Sequence, residues 1–214
     1  VHDRVARAAA QKLAAHAVPT PVTLRDGTEV ELRPLLPDDR AELEAGVARS
    51  PAEVLRQRFF TGGTPSRKVL DYLVDLDYVN HFAWAVACAD DVHPRGVGVA
   101  RYIRDTHDPG RAEFALSVDK SLQCLGLGGI LMGALAAAAG VAGIDRFLAY
   151  VLVDNGPMRA LLDRAGAEWA LDEPGVVVTT VPVDRVRTFI PDELADRLAG
   201  VAAATVQAAR SALF

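Results

Sequence analysis

Three closely spaced glycines form the clearest candidate binding loop of this sequence. The motif is Gln-x-x-Gly-x-Gly-Gly and runs from Gln123 to Gly129. The residues before it alternate in the manner of a β-strand, and from Ile130 onward Leu, Met and Ala favour a helix. Glycines at such a junction let backbone N–H groups converge, and the N-terminus of the following helix adds a partial positive charge. We therefore predict that the loop binds an anion, with a pyrophosphate as the leading candidate.

One carboxylate lies in the middle of the strand that leads to this loop. Within the predicted strand Arg111–Val118, Glu113 shares a face with Ala115 and Ser117. Its position on the strand that leads to the predicted anion site makes Glu113 a candidate functional residue. The alternative is a glutamate that is solvated or that forms a salt bridge with Arg111.

The other side chains with possible chemistry are isolated from one another. His81 and His107 could act as bases because imidazole titrates near neutral pH, although a structural or solvated role is more usual at such positions. Cys124 lies within the glycine loop but has no evident base partner, so we do not expect it to be a nucleophile. No group of His, Cys and Asp residues has the spacing of a metal site, and we predict no metal.

The composition excludes several classes of protein. A net charge of −5 argues against a nucleic-acid-binding protein, which would carry a basic patch. Half of the 214 residues are hydrophobic, which is enough for one large core, yet no stretch reaches the ~20 apolar residues of a membrane span. Cys88 and Cys124 are too few for a disulfide scaffold, and we expect Cys88 to be a buried thiol. Without a secretory leader, the chain is expected to be cytoplasmic.

The elements before the candidate site are predicted to be a hairpin and three helices. The hairpin spans Val22 to Pro34 and turns at Asp26-Gly27. Ser50 and Glu53 have the spacing of a capping box, and Ser66 is a further N-cap. The three helices are expected from Pro37 to about Val47, from Pro51 to about Phe60 and from Arg67 to about Leu76.

The remaining elements predict an α+β fold with α/β-type layers. Antiparallel strands followed by a βαβ unit give a mixed, mostly antiparallel sheet flanked by helices. The helices are the one after the glycine loop and one from Asn155 to Gly166. The strands are expected at His81–Ala89, Gly96–Arg104, Arg111–Val118, Arg146–Val153 and Val176–Val183.

We divide the chain into three parts. Residues 1–21 are expected to be an N-terminal helix and linker, residues 22–183 the body that carries the candidate site, and residues 184–214 a C-terminal helical extension. An apolar stripe from Leu194 to Ala209 predicts that the extension is a helix docked on the body, with a lid or a dimer contact as the alternative.

The order of these motifs resembles the GNAT acetyltransferase superfamily. A mid-strand carboxylate is followed by Gln-x-x-Gly-x-Gly at a helix start, then by a strand and a helix led by Asn155. The resemblance covers roughly residues 28–183. It implies the GNAT fold for the body at residues 22–183, with the C-terminal helix in addition.

Longer stretches resemble one branch of that superfamily, the mycobacterial protein lysine acetyltransferases of the Pat family. In that family the first of these stretches follows a cyclic-nucleotide-binding domain, for which this chain leaves no room, so we do not expect control by cyclic AMP within it. The stretches are Arg7-Ala-Ala-Ala-Gln-Lys-Leu-Ala-Ala, Asp77-Tyr-Val-Asn-His-Phe-Ala-Trp, Arg104-Asp-Thr-His-Asp-Pro, Ala112-Glu-Phe-Ala-Leu-Ser-Val, Asp154-Asn-Gly-Pro-Met-Arg and Asp163-Arg-Ala-Gly-Ala.

The resemblance implies an acetyl-CoA-dependent N-acetyltransferase that acts directly on lysine side chains of proteins, with acyl-CoA synthetases as one candidate class of acceptor. It implies that Glu113 is the catalytic base. Asn155 is expected to contact the cofactor, although it could equally cap its helix with Pro157 in the first turn. The residues expected to bind acetyl-CoA are Leu116, Ser117, Val118, Gln123, Cys124, Leu125, Gly126, Leu127, Gly128, Gly129 and Asn155.

The group that protonates the leaving thiolate is not evident. Many members of the superfamily place a tyrosine four residues before the glycine that ends the corresponding helix, and here that position, counted from Gly166, is Leu162. The same departure is expected in Pat-like sequences, so solvent could supply the proton. Tyr150 and Tyr102 are alternatives, although a packed aromatic is the more usual role for each.

Two other functions stay open at this point. The chain could acetylate a small amine, or it could bind acyl-CoA as a sensor without catalysis. The expected partners are acetyl-CoA and a protein with an acceptor lysine, without nucleic acid or membrane, and the sequence leaves the oligomeric state open.

Overall fold

The fold is built on a single eight-stranded sheet in the order β1-β2-β3-β4-β5-β6-β8-β7. It is taken from a computed structural model that describes residues 13–61, 63–88 and 95–212. The strands are β1 (Thr20–Thr23), β2 (Glu29–Pro34), β3 (His81–Cys88), β4 (Gly96–Arg104), β5 (Arg111–Val118), β6 (Arg146–Leu152), β7 (Ala170–Glu173) and β8 (Val176–Pro182).

The helices lie on both faces of this sheet. Short 3-10 turns at Pro37–Asp39 and Lys120–Leu122 precede the first helix and the glycine loop. The helices are α1 (Arg40–Arg49), α2 (Ala52–Phe59), α3 (Arg67–Val74), α4 (Leu127–Val141), α5 (Gly156–Asp163), α6 (Val183–Arg187) and α7 (Asp192–Ala212). Residues 13–16 are also helical.

One parallel pair interrupts an otherwise antiparallel sheet. Strands β1 to β5 are antiparallel neighbours, and β6 and β8 are antiparallel as well. Strands β5 and β6 run parallel, because the chain crosses between them through α4. This βαβ unit places the glycine loop, which connects β5 to α4, at the carboxyl end of β5.

The main core lies between the sheet and α4. Leu131, Met132 and Leu135 on α4 are fully buried, and the Trp84 indole N–H donates to the Ala134 carbonyl at 2.9 Å. Helix α7 packs against α4 and buries Ala195, Leu198, Ala202 and Thr205. The predicted docking of the C-terminal helix on the body is therefore confirmed.

The opposite face of the sheet is covered by α1, α2 and α3. A smaller cluster of Leu35, Val74 and Ala83 fills part of this layer, with Leu43 against it. Glu113 on β5 and Arg101 on β4 project from this face. Successive side chains of a strand point to opposite faces of the sheet, and the sequence neighbours of these two residues face α4.

The sequence predictions for the elements hold with four differences. Strand β7 and helix α6 were not predicted, and Cys88 is half-buried rather than buried. The predicted Ser50 cap is wrong, because α2 begins after Pro51 and the Ser50 hydroxyl instead donates to the Gly46 carbonyl at 2.9 Å. The Ser66 cap is confirmed, since its hydroxyl accepts the Val69 N–H.

Two parts of the predictions lie partly outside the described residues. These are the N-terminal helix, of which residues 1–12 are not described, and the turn before Gly96, of which residues 89–94 are not described. Within the described ranges, no helix combines the length and the apolar character that crossing a bilayer requires.

Candidate active site

Strands β5 and β6 separate beyond Glu113 and leave a cleft between them. They pair from Arg111 opposite Arg146 to Glu113 opposite Leu148, and the pairing stops there. The cleft has a volume of about 550 Å³ and is walled by the second half of β5, the glycine loop, β6 and the start of α5. Because the two strands diverge, the last residues of β5 present a backbone edge that β6 does not occupy.

This cleft collects the residues that were predicted to bind the cofactor. Asn155 lies in its wall and also caps α5, since its side-chain oxygen accepts the Met158 N–H at 3.2 Å. Leu127 is the exception, because its side chain is buried in the core and its backbone alone could contribute. The predicted residues in the wall are Leu116, Ser117, Val118, Gln123, Cys124, Leu125, Gly126, Gly128, Gly129 and Asn155.

The glycine loop has a backbone that few other residues could adopt. Helix α4 begins at Leu127 with Gly126 as its N-cap at φ 95°, and Cys124 has φ 64°. A Cβ on Gly126 would lie 3.3 Å from the Arg25 Nε, so the glycine also lets this guanidinium approach the loop. The first N–H groups of α4 have no partner within the helix and could therefore bind an anion at its N-terminus.

Glu113 is solvent-accessible at one end of this cleft and has no ion pair among the described residues. Arg111, the alternative partner, pairs with Asp105 instead. Surrounding protein atoms desolvate the Glu113 carboxylate and raise its pKa, while the positive charge of Arg58 acts in the opposite direction. A carboxylate with a raised pKa and no hydrogen-bonded partner is available to accept a proton.

The two alternative tyrosines occupy different environments. Tyr150 on β6 is 38% exposed and lines the cleft, whereas Tyr102 is fully buried and its hydroxyl donates to the Val79 carbonyl at 3.3 Å. Leu162 is also fully buried. Tyr150 is therefore the better placed of the two to donate a proton within the cleft.

Comparison with known proteins decides the family. The model of the Acetyltransferase (GNAT) family matches residues 52–167, which include β5, the glycine loop and α5. This chain is a member of the GNAT acetyltransferase family. Its mixed sheet is the GNAT fold that the sequence predicted.

Two curated proteins show how this GNAT chain relates to named enzymes. It is 40% identical over 198 residues to acetyltransferase Pat of Mycolicibacterium smegmatis, a match that covers 92% of this chain and 59% of that protein. It is 33% identical over 144 residues to acetyltransferase PA5475 of Pseudomonas aeruginosa, a match that covers 66% of this chain and 74% of that protein. The GNAT chain thus spans about three fifths of the length of Pat.

Two solved structures are similar to this chain over most of its length. The cAMP-binding acyltransferase from Mycobacterium smegmatis matches with a TM-score of 0.70 at 35% identity, over 97% of this chain and 61% of that one. The GNAT domain of S. lividans PAT matches with a TM-score of 0.69 at 28% identity, over 77% of this chain and 96% of that one.

Three arginines and a phenylalanine are among the residues of this GNAT cleft that were not anticipated from the sequence. Arg25, Arg58, Arg164 and Phe189 line it, and the Arg164 guanidinium lies over the Phe189 ring at 4.5 Å. Arg164 belongs to the Asp163-Arg-Ala-Gly-Ala stretch and could have been singled out there. Arg25 and Phe189 come from distant parts of the chain, and no local pattern marks them.

The two histidines are placed as structural or solvated groups. His107 is exposed in the turn before β5. His81 is 7% exposed, stacks on Tyr72 at 5.0 Å and has its Nε2 3.1 Å from the Arg101 Nη1. Within the described ranges, no group of three or more His, Cys, Asp or Glu side chains is arranged to hold a metal.

The burial of His81 predicts a pH-dependent loss of stability. Desolvation and the charge of Arg101 lower its pKa from 6.5 to about 4, so the unfolded state binds more protons between these two values. Stability should therefore fall as the pH falls through this window, by about 2 kcal/mol between pH 7 and pH 5. Urea unfolding at the two pH values measures it, and His81→Gln should remove most of the difference. His107→Gln, which changes an exposed imidazole, should leave it intact; if both variants behave alike, the assignment to His81 is wrong.

Proposed function

We propose that this chain transfers the acetyl group of acetyl-CoA directly to lysine side chains of proteins, with Glu113 as general base. The observation that carries the proposal is the position of Glu113. Its carboxylate is free of ion pairs among the described residues and lines the same cleft as the glycine loop. Acyl transfer from a thioester to an amine requires an anion-binding loop for the cofactor and an available base in the same cleft.

The cofactor fits the loop and the adjacent strand edge. The backbone N–H groups from Gln123 to Gly129, at the N-terminus of α4, would hold the pyrophosphate of acetyl-CoA. Arg25 and Arg164 line the same region and would add positive charge for its phosphates. The free edge of Leu116–Val118 would bind the pantetheine amides as an additional strand does.

The proposed transfer of the acetyl group takes place beside the same strand. Acetyl-CoA supplies an acetyl thioester, whose carbonyl a backbone N–H of this edge would polarise. Glu113 would take the proton of the attacking ammonium, directly or through a water, so that the amine is neutral when it attacks. Tyr150 lines the cleft and would protonate the departing thiolate, with solvent as the alternative, and Cys124 is not needed because direct transfer forms no acyl-enzyme.

The protein acceptor is supported by the similarity to Pat. The match extends over 92% of this chain and includes the stretches around Asp77, Glu113 and Asn155 that resemble the Pat family. The resemblance to that family implies a protein lysine as the acceptor, and acyl-CoA synthetases are the class to test first.

The test is transfer of labelled acetyl groups to two panels of acceptors. One panel contains proteins, including acyl-CoA synthetases, and the other contains small primary amines. We expect label on protein lysines, identified by peptide mass mapping. Label on small amines alone would replace the protein acceptor by a small-molecule one. Tight CoA binding without transfer to either panel would leave an acyl-CoA sensor and would overturn the proposal.

A further inference from the structure

A second cavity lies on the sheet face opposite α4, beneath helices α1, α2 and α3. Its volume is about 380 Å³. Most of its wall is apolar, and the apolar residues include Leu35, Leu43, Val47, Leu55, Ala85 and Val99. It is separate from the cleft that holds the glycine loop, although Arg58 and Ser117 border both.

Arg101 brings a buried positive charge to this cavity. The residue is 2% exposed, and its Nη1 donates to the Leu73 carbonyl at 2.7 Å. Its Nε and Nη2 are buried without a hydrogen-bond partner, and none of the ion pairs of the described residues includes it. Burial and the nearby Arg58 lower its pKa to about 9, so the guanidinium is still charged at neutral pH. Such a charge is costly unless an anion compensates it.

Arg58 adds a second guanidinium to the same wall. Burial lowers its pKa to about 10, while the negative charge of Glu113 acts in the opposite direction, and Arg58 forms no ion pair with a described carboxylate. Its guanidinium lies 5.0 Å from the Phe59 ring. The positive charge of Arg58 lowers the pKa of Arg101, so the two guanidinium groups repel each other, and an anion bound near both would relieve this repulsion.

The acidic side chains of the cavity do not supply that anion. Asp39 pairs with Arg33 at 2.6 Å, and Glu42 pairs with Arg49 at 2.7 Å. Asp119 accepts the Ser121 N–H at 2.9 Å.

Glu31, the remaining acidic side chain of the wall, lies away from the arginine pair. It is opposite Ala87 on β3, four positions from Ala83, which pairs with Arg101. Four positions along a strand correspond to about 13 Å.

We propose that this cavity binds a small monocarboxylate with a short apolar body, whose carboxylate lies between Arg58 and Arg101. Guanidinium groups match the planar geometry of a carboxylate and can bind both of its oxygens. The apolar wall suits an alkyl chain, and the volume is in the range of small-molecule sites. Because Arg101 is only 2% exposed, the proposal assigns the site to a free small molecule rather than to the side chain of a docked protein. The site is distinct from the acetyl-CoA cleft and does not depend on the function proposed above.

Isothermal titration calorimetry of the chain with sodium alkanoates from acetate to octanoate tests the proposal. We expect affinity to rise about fourfold for each added methylene until the cavity is full. Hexanamide, which has the shape of hexanoate without the charge, should not bind. Saturating CoA should leave hexanoate binding in place, which separates this site from the cleft.

Three variants make the test specific to the cavity. Arg58→Met and Arg101→Met should each weaken hexanoate binding at least tenfold, by analogy with lost charge-assisted hydrogen bonds. Ala85→Leu narrows the apolar part of the cavity and keeps both arginines, so it should weaken the binding of octanoate more than the binding of acetate. Arg146→Gln changes an exposed arginine outside the cavity and is the matched control.

The outcomes are decisive even if Arg101→Met does not fold, because Arg58→Met and Ala85→Leu test the same site. Equal binding of hexanoate and hexanamide would overturn the proposal. So would the absence of alkanoate binding at millimolar concentration, or displacement of hexanoate by CoA.

Discussion

Replacing Glu113 by glutamine is expected to lower kcat for acetyl transfer by a factor of about 10²–10⁴. Glutamine keeps the shape of the side chain but cannot accept the proton of the attacking ammonium. Glu113 has no ion pair among the described residues, so the substitution breaks none and removes only the longer-range attraction between its charge and that of Arg58. We therefore expect the stability and the CoA affinity of Glu113→Gln to match those of the parent chain.

A matched control separates the loss of a base from the loss of charge. Glu168→Gln removes a carboxylate from an exposed position outside the cleft and should leave kcat unchanged. Activity of Glu113→Gln within a few-fold of the parent chain would contradict the assignment. So would a loss of CoA affinity parallel to the loss of activity, because Glu113 would then be a binding residue.

The pH dependence of kcat/KM gives an independent test of Glu113 as the general base. Desolvation raises the pKa of Glu113, and the positive charge of Arg58 limits this rise. A general base must be deprotonated, so activity should fall on the acidic side of this pKa. Arg58→Met removes the charge that favours the carboxylate, so the acidic limb should move to higher pH. If the acidic limb of the pH profile does not move, a group other than Glu113 determines its position.

Local patterns account for most of the elements that surround this base. Asp26-Gly27 marks a hairpin because a tight turn needs a residue that tolerates positive φ, and Gly27 has φ 89°. The loop at Gln123–Gly129 is equally local, since glycines, strand alternation and helix formers follow one another directly. Ser66 caps α3 for the same reason.

The prediction for Ser50 is wrong because two neighbouring helices compete for its side chain. Ser50 could have capped α2, but Pro51 keeps an extended backbone with ψ 148° and becomes the N-cap itself. The hydroxyl of Ser50 then turns back to the last turns of α1. Strand β7 was missed because all four of its residues are exposed, so no alternation of apolar and polar residues marks it.

The parts of the site that the sequence did not reveal are brought together by the sheet. Arg25 reaches the glycine loop because the hairpin of β1 and β2 extends to it, where the Arg25 N–H donates to the Leu125 carbonyl at 3.2 Å. Arg101 alternates in β4 like any exposed strand residue, and only the packing of α2 and α3 shows that it is buried. Such contacts depend on long-range topology, which periodicity in one segment does not contain.

Gly126→Val is expected to weaken CoA binding about 100-fold or more and to destabilise the fold by about 1–3 kcal/mol. The backbone at φ 95° is strained for any residue with a Cβ and more so for a β-branched one. Its Cβ would lie 3.3 Å from the Arg25 Nε and would cover the N–H groups at the start of α4. Titration with CoA and urea unfolding measure the two effects separately.

Comparison with two other variants shows which effect limits binding. Gly140→Ala adds a methyl near the end of the same helix, where no atom of the described residues lies within 4 Å, so it should keep CoA affinity and stabilise the chain by about 0.5–1 kcal/mol. Gly126→Asn tolerates the left-handed backbone better than valine, so it should recover part of the stability. Because its Cβ still stands between Arg25 and the loop, it should not recover CoA affinity. If Gly126→Asn binds CoA as the parent chain does, the loop does not need close backbone approach, and the anion site assigned to it is wrong.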